Sequence, residues 1–156
     1  MPPHKDSEFL YTSPPSAVGF WVALQDAGGG NAGLVMYPGS HRRSQGEVRR
    51  RFVRNTTPGV EGGGGTGFVR NEGVGYPKDF ELDEHDDEEE EEEGEVLDVK
   101  AGSLVLIHGN VLHKSEKNTG DRSRFAYTFH VIEGENVYDE RNWLQPPAEG
   151  FTKLYQ

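Results

Sequence analysis

Apolar residues along this chain come in short runs rather than at helical spacing. Residues 4 to 41 interleave aromatic and β-branched stretches with Pro14-Pro15, Gly28-Gly29-Gly30 and Pro38-Gly39, which is the punctuation of strands and turns. From about residue 42 to 94 the pattern lapses. Gly62 to Gly65 and a long acidic run stand there in place of apolar periodicity, predicting a surface insertion whose Gly-rich and acidic body, 55–94, is disordered. Order resumes at Glu95: Val96 with Val99, the run Leu104-Val105-Leu106-Ile107, and Phe125 to Ile132 read as three more strands, with turns at Ala101-Gly102 and Asn118-Thr119-Gly120. The tail from Asn136, carrying Trp143 and Pro146-Pro147, reads as coil or one short helix. About six strands without an amphipathic helix predict a mainly β fold, a sandwich or barrel.

Charge changes this picture only locally. The formal charge is −11 over 156 residues, but twelve acidic side chains and no basic one lie between Glu81 and Glu95. Without them the balance is +1, so the acidity belongs to one segment and does not argue for a cationic partner. Hydrophobic residues make up 33% of the chain, a small core for a domain of this size. No cysteine is present, which excludes disulfides, thiolate zinc sites and cysteine nucleophiles. No apolar run approaches the roughly 20 residues of a membrane span, and the N-terminus lacks the basic-then-apolar pattern of a secretory signal. Arg49, Arg50, Arg51 and Arg54 are accompanied only by Phe52 among aromatics, and read as a solvated loop rather than a nucleic-acid stripe. Neither nucleic acid nor membrane is therefore an expected partner.

The candidate chemistry lies in the histidines, at positions 4, 41, 85, 108, 113 and 130. His4 and Asp6 stand two apart, which on an extended strand puts an imidazole and a carboxylate on one face. An HxD triplet alone is a weak signal. Farther along, an apolar strand runs into Gly109-Asn110 and then presents His113 and Ser115, again two apart. On the next strand Arg124, Ala126, Thr128 and His130 share one face, and Phe125, Tyr127, Phe129 and Val131 the other. The aromatic face is expected to be core, and the face beginning with Arg124 to line a polar cavity that holds an anion. Arg122 competes with Arg124 for that role but falls in the turn. His41 is expected to hydrogen-bond the backbone of the Pro38-Gly39-Ser40 turn. His108 and His130 are expected to be structural or cavity-lining, and His85 to be solvated. Trp21 reads equally well as a core residue and as a pocket wall.

The order of these motifs resembles the phytanoyl-CoA dioxygenase family of Fe(II)- and 2-oxoglutarate-dependent oxygenases, most closely its branch of phytanoyl-CoA dioxygenase domain-containing proteins. The likeness is carried by His4-Lys5-Asp6 with Phe9 to Thr12, Gly19 to Leu24, Pro38-Gly39-Ser40-His41, Gly102 to Asn118, Arg122 to Arg124 with Ala126 to His130, and Asn142 to Pro146. It implies a double-stranded β-helix (jelly-roll, cupin-like) core. It also implies iron ligation by His4, Asp6 and His113, and contacts to 2-oxoglutarate from Arg124, Ser115, Trp21 and Lys5. The cofactors implied are Fe(2+) and 2-oxoglutarate, with ascorbate as reductant. The reaction implied is O2-dependent hydroxylation of a small organic substrate with release of succinate and CO2. Family members carry helices and a first barrel strand ahead of the HxD motif. The chain is accordingly expected to be one partial domain over 1–156, matching the C-terminal half of the enzyme. Two other readings stay open: a catalytically silent fragment, and a zinc site of hydrolytic type, since two histidines and a carboxylate also hold zinc. Lys153 to Gln156 is not a peroxisomal address, so the expected compartment is the cytoplasm.

Overall fold

Among the described residues the apolar runs fold as short strands, and helix is confined to 3-10 turns. The computed structural model describes residues 1–42, 48–54, 65–71 and 93–155. Within them lie ten strands, β1 (Thr12–Ser13), β2 (Val18–Ala23), β3 (Leu34–Met36), β4 (Arg50–Arg54), β5 (Thr66–Arg70), β6 (Glu95–Val96), β7 (Leu104–His108), β8 (His113–Ser115), β9 (Ala126–Val131) and β10 (Val137–Tyr138). The helical elements among the described residues are 3-10 turns at Asp6–Glu8 and 40–42. Most of the acidic run, with His85, lies outside the described residues.

Two three-stranded antiparallel sheets form the body, ordered β7-β2-β9 and β6-β3-β8. They share one apolar layer. Trp21, Ala23 and Ile107 from the first sheet pack with Leu34 from the second and with Ala27 and Val99. Directly opposed residues of an antiparallel pair share a face, so the register fixes what points inward. Gly19 lies between Ile107 and His130, and Trp21 between Val105 and Thr128. In the second sheet Leu34 opposes Ser115 and Met36 opposes His113, which puts both β8 side chains on the Leu34 side, between the sheets.

The opposite face of β9 corrects an expectation. Phe125 and Tyr127 are 62% and 61% exposed, and Phe129, Leu104 and Leu106 are exposed as well. The aromatic face is thus the outer face of its sheet, where Phe129 stacks on Phe20 with ring centroids 4.8 Å apart. The register is the cause. A strand presents alternate residues to alternate faces, and it is Ala126, Thr128 and His130 that stand beside Ala23, Trp21 and Gly19 on the side of the apolar layer, with Thr128 and His130 still exposed to solvent.

The segment read as an insertion contains order too. β4 and β5 pair antiparallel from Arg50↔Arg70 to Arg54↔Thr66, so Thr66–Arg70 is a strand inside the stretch expected to be disordered. The rest of 55–94, apart from Gly65, Asn71, Glu93 and Gly94, lies outside the described residues. Nor is the arginine cluster a solvated loop. Arg51 is 2% exposed. Its Nη1 donates to Asp139 Oδ2 at 2.8 Å, its Nη2 to Asn142 Oδ1 at 3.2 Å, and its guanidinium lies 4.2 Å from the Tyr11 ring centroid. Asn142 in turn donates to the Tyr11 carbonyl at 2.8 Å. Alternation along β4 buries Arg51 and Val53, and a buried guanidinium demands charged and polar partners such as those its two Nη atoms find; its Nε is buried without one among the described residues. The contacts tie β4 to both ends of the described chain. Arg50 adds a bond from its Nε to Glu8 Oε1 at 3.1 Å, which holds the 3-10 turn that contains Asp6.

Truncating one partner should expose that dependence. Asp139→Ala leaves the Arg51 charge buried beside the neutral Asn142 and is expected to destabilise the chain by about 3 kcal/mol, read as a lower urea midpoint at unchanged slope. A loss under about 0.5 kcal/mol, the level of an ordinary surface change, would contradict the role given to Arg51.

Candidate metal centre

His4 and His113, distant in sequence, are joined by a two-way backbone bridge: the His4 amide donates to the His113 carbonyl at 3.0 Å, and the His113 amide to the His4 carbonyl at 3.1 Å. The bridge puts the two rings side by side, centroids 4.3 Å apart. Asp6 arrives differently from the expectation of one extended strand. Lys5 is extended, but Asp6 opens the 3-10 turn, its carbonyl accepting the amides of Phe9 and Leu10 at 3.0 Å each. The turn is pinned by the Ser7 amide, which donates to the Gly109 carbonyl at 2.9 Å. It swings the Asp6 carboxylate toward both rings.

One ligand atom from each of His4, Asp6 and His113 lies within 4.8 Å of the others, and all three residues are buried. Asp6 Oδ1 is 3.7 Å from His4 Nε2 and 3.5 Å from His113 Nε2. The far atoms are tethered. His4 Nδ1 lies 2.9 Å from the Pro2 carbonyl and His113 Nδ1 3.0 Å from the Val111 carbonyl. A carbonyl only accepts, so each Nδ1 carries a proton, and in the neutral form of the ring the lone pair on Nε2 faces the cluster. This is the donor set of a non-haem Fe(II) site with open positions, and the residues fit such an ion.

Electrostatics agree with that reading. Burial first, and then repulsion from His113, push the His4 pKa below its ordinary 6.5, against the Pro2 hydrogen bond and the Asp6 charge. Burial also acts to raise the Asp6 pKa, but the His130 hydrogen bond and the charges of His113, His130 and His4 outweigh it, and the net shift is downward. A neutral imidazole facing an ionised carboxylate is what metal coordination requires. Two residues on, burial pushes the Glu8 carboxyl up, with Arg50 and Lys5 opposing.

The other residues singled out from sequence surround the centre at different removes. Lys5 is buried between the two ligands of the HxD motif. Ser115 follows His113 by two on β8 and faces the same way. Arg124 lies just before β9, its Nε donating to the Ala32 carbonyl at 3.0 Å and its guanidinium carbon 5.5 Å from the Trp21 ring centroid. Trp21 is a core residue, buried in the apolar layer, with the Arg124 guanidinium over its ring. Arg122 sits in the exposed turn, its carbonyl accepting from Asn118. His41 departs from expectation. Its Nδ1 is buried without a hydrogen-bond partner among the described residues, and its ring lies 5.1 Å from that of His108. The Ser40 hydroxyl, accepting from the Leu112 amide at 2.8 Å, serves that turn instead. What sequence reasoning missed is the contact of His130 Nε2 with Asp6 Oδ2 at 3.1 Å; its place on the Arg124 face was the only signal.

Comparison with known proteins follows the same lines. Residues 1–126 match the family described as phytanoyl-CoA dioxygenase. The chain belongs to the phytanoyl-CoA dioxygenase family. Among curated relatives, phytanoyl-CoA dioxygenase domain-containing protein 1 of Bos taurus is 43% identical over 156 residues, which is 98% of this chain and 47% of the relative. Its counterpart in Danio rerio is 42% identical over the same shares, and a phytanoyl-CoA dioxygenase of Arabidopsis thaliana is 35% identical over 92% of this chain and 42% of its own. The chain thus spans about half the length of these family members. Among the described residues, no helix is long and apolar enough to cross a membrane.

A pH titration of the metal-free chain tests the state of the centre. Unfolded chain takes up a proton near pH 6.5, whereas folded His4 does so only at lower pH, so below about 6.5 the unfolded state binds more protons and stability falls as pH drops. Nitrogen-15 correlation spectra are expected to show His4 as the Nδ1–H tautomer at pH 7, titrating below 6.5. A His4 midpoint at or above 6.5, or proton occupancy at Nε2 alone, would contradict the geometry.

Proposed function

We propose that the chain carries the metal and cosubstrate centre of an Fe(II)- and 2-oxoglutarate-dependent dioxygenase that hydroxylates a small organic substrate. The convergence of His4 Nε2, His113 Nε2 and Asp6 Oδ1 carries this reading, and family membership supports it. In the same proposal the two facing sheets belong to a double-stranded β-helix.

Each residue has a task that follows from its surroundings. His4 and His113 offer lone pairs held in place by the Pro2 and Val111 carbonyls, and Asp6 offers one oxygen. Three ligands on one side leave room for a bidentate keto acid and O2. When bound, iron with 2-oxoglutarate supplies the oxidising chemistry, one atom of O2 entering succinate and the other the hydroxylated product as CO2 leaves. Arg124 pairs with the distal carboxylate of 2-oxoglutarate, and Ser115 donates its hydroxyl to the same group. The Ala32 carbonyl fixes the approach of that guanidinium, and the Trp21 ring excludes water from its flank. Lys5, between two ligands, adds positive charge that favours an anionic cosubstrate. Ascorbate acts as the external reductant.

Incubation with Fe(II), 2-oxoglutarate and O2, followed by measurement of succinate, tests the proposal. Wild-type chain is expected to form succinate, and Asp6→Ala to lose that activity by more than about a hundredfold, beyond the usual effect of altering a residue behind a ligand. Arg124→Leu is expected to weaken 2-oxoglutarate binding about 10- to 100-fold, the worth of charged hydrogen bonds of roughly 1.5–3 kcal/mol. Succinate formation unchanged in Asp6→Ala would overturn the reading, and its absence from folded wild-type chain would favour a silent fragment.

A further inference from the structure

The Asp6 carboxylate has two oxygens in different surroundings. Oδ1 faces His4 and His113, whereas Oδ2 meets His130 Nε2 at 3.1 Å. A carboxylate accepts, so His130 donates from Nε2. The imidazole reaches Asp6 from the far strand of the other sheet across a gap that β2 leaves open. Gly19 lies opposite His130 in the β2–β9 register, and a Cβ on Gly19 would stand 2.8 Å from Asp6 Oδ2 and 3.5 Å from His130 Nε2. Only a residue without a side chain leaves this contact undisturbed. Asp6 is buried while the His130 side chain is 33% exposed, so the ring reaches from solvent to the buried carboxylate.

We propose that His130 is a positioning residue for the metal centre: by holding Oδ2 it fixes Asp6 as a one-oxygen ligand through Oδ1, with Gly19 providing the space. The proposal rests on the reading of His4, Asp6 and His113 as metal ligands. Its physical content is geometric. A carboxylate free at both oxygens can rotate to chelate a metal with two atoms and so occupy a position that a keto acid and O2 require. A hydrogen bond at Oδ2 makes that rotation costly, and leaves the open half of the coordination sphere intact. Residues behind metal ligands commonly govern affinity in this way, by about 10- to 100-fold.

The test uses the full chain freed of metal and titrated anaerobically with Mn(II), followed by electron paramagnetic resonance, with infrared difference spectra of the carboxylate stretches. Binding of Mn(II) by wild type, lost in His113→Ala, tests the underlying centre; if wild type binds none, that centre and this proposal fall together. Given binding, His130→Leu removes the donor at similar bulk and is expected to weaken Mn(II) about 10- to 100-fold, with the carboxylate splitting moving toward the two-oxygen mode. His130→Gln keeps an N–H donor and is expected to recover most of the affinity and the wild-type splitting. Gly19→Ala, which pushes into Oδ2, is expected to act like His130→Leu. Affinity and splitting unchanged in His130→Leu would overturn the proposal while leaving the metal centre standing. So would equal losses in the Leu and Gln variants.

Discussion

The paired backbone hydrogen bonds between His4 and His113 are the constraint on which the rest depends. Neither ring has a reason to approach the other by itself, since His113 disfavours protonation of the buried His4 and the two rings gain little from contact. The bridge forces them together, and everything around it supplies the lone pairs and the negative charge that make such closeness useful. The Asp6 turn, pinned by the Gly109 carbonyl, brings a carboxylate to the same point. The Pro2 and Val111 carbonyls then decide which nitrogen of each ring is bare.

Holding that bridge requires the larger architecture. β8 is fixed by pairing with β3, and the turn at Asp6–Glu8 is fixed through Glu8 by Arg50. Arg50 sits on a strand whose next residue, Arg51, is locked to Asp139, Asn142 and Tyr11. A chain of polar contacts thus runs from the C-terminal tail through β4 to the ligand turn. The apolar layer around Trp21 and Leu34 sets the spacing of the sheets between which the ligands, Ser115 and His130 converge. Fold and site are one set of constraints, in which a small core is supplemented by buried polar contacts such as Arg51 with Asp139 and Asn142.

How much of this was legible follows from the physics of each element. Strands β2, β3, β7 and β9 announce themselves by apolar and aromatic runs bounded by glycine and proline, and the two-residue spacings His4–Asp6 and His113–Ser115 mark the centre. The turn at Asp6 was hidden because local sequence does not reveal the Ser7 to Gly109 bond that shapes it. The inward place of Arg51 was hidden because its partners come from Tyr11, Asp139 and Asn142. The exposed aromatic face of β9 was misjudged because alternation fixes which residues share a face but not which face is covered. The His130 contact depends on the absence of a side chain at Gly19, a feature that gains meaning only once β2 and β9 are in register.

Anaerobic titration with Fe(II) in the presence of 2-oxoglutarate tests the central claim most directly, because a keto acid chelated to Fe(II) gives a metal-to-ligand charge-transfer band in the visible range. The expected result is a band that requires both components, saturates at one iron per chain and is abolished by exchanging Fe(II) for Zn(II). Folded, iron-loaded chain that shows no such band would contradict the assignment of this centre to 2-oxoglutarate chemistry.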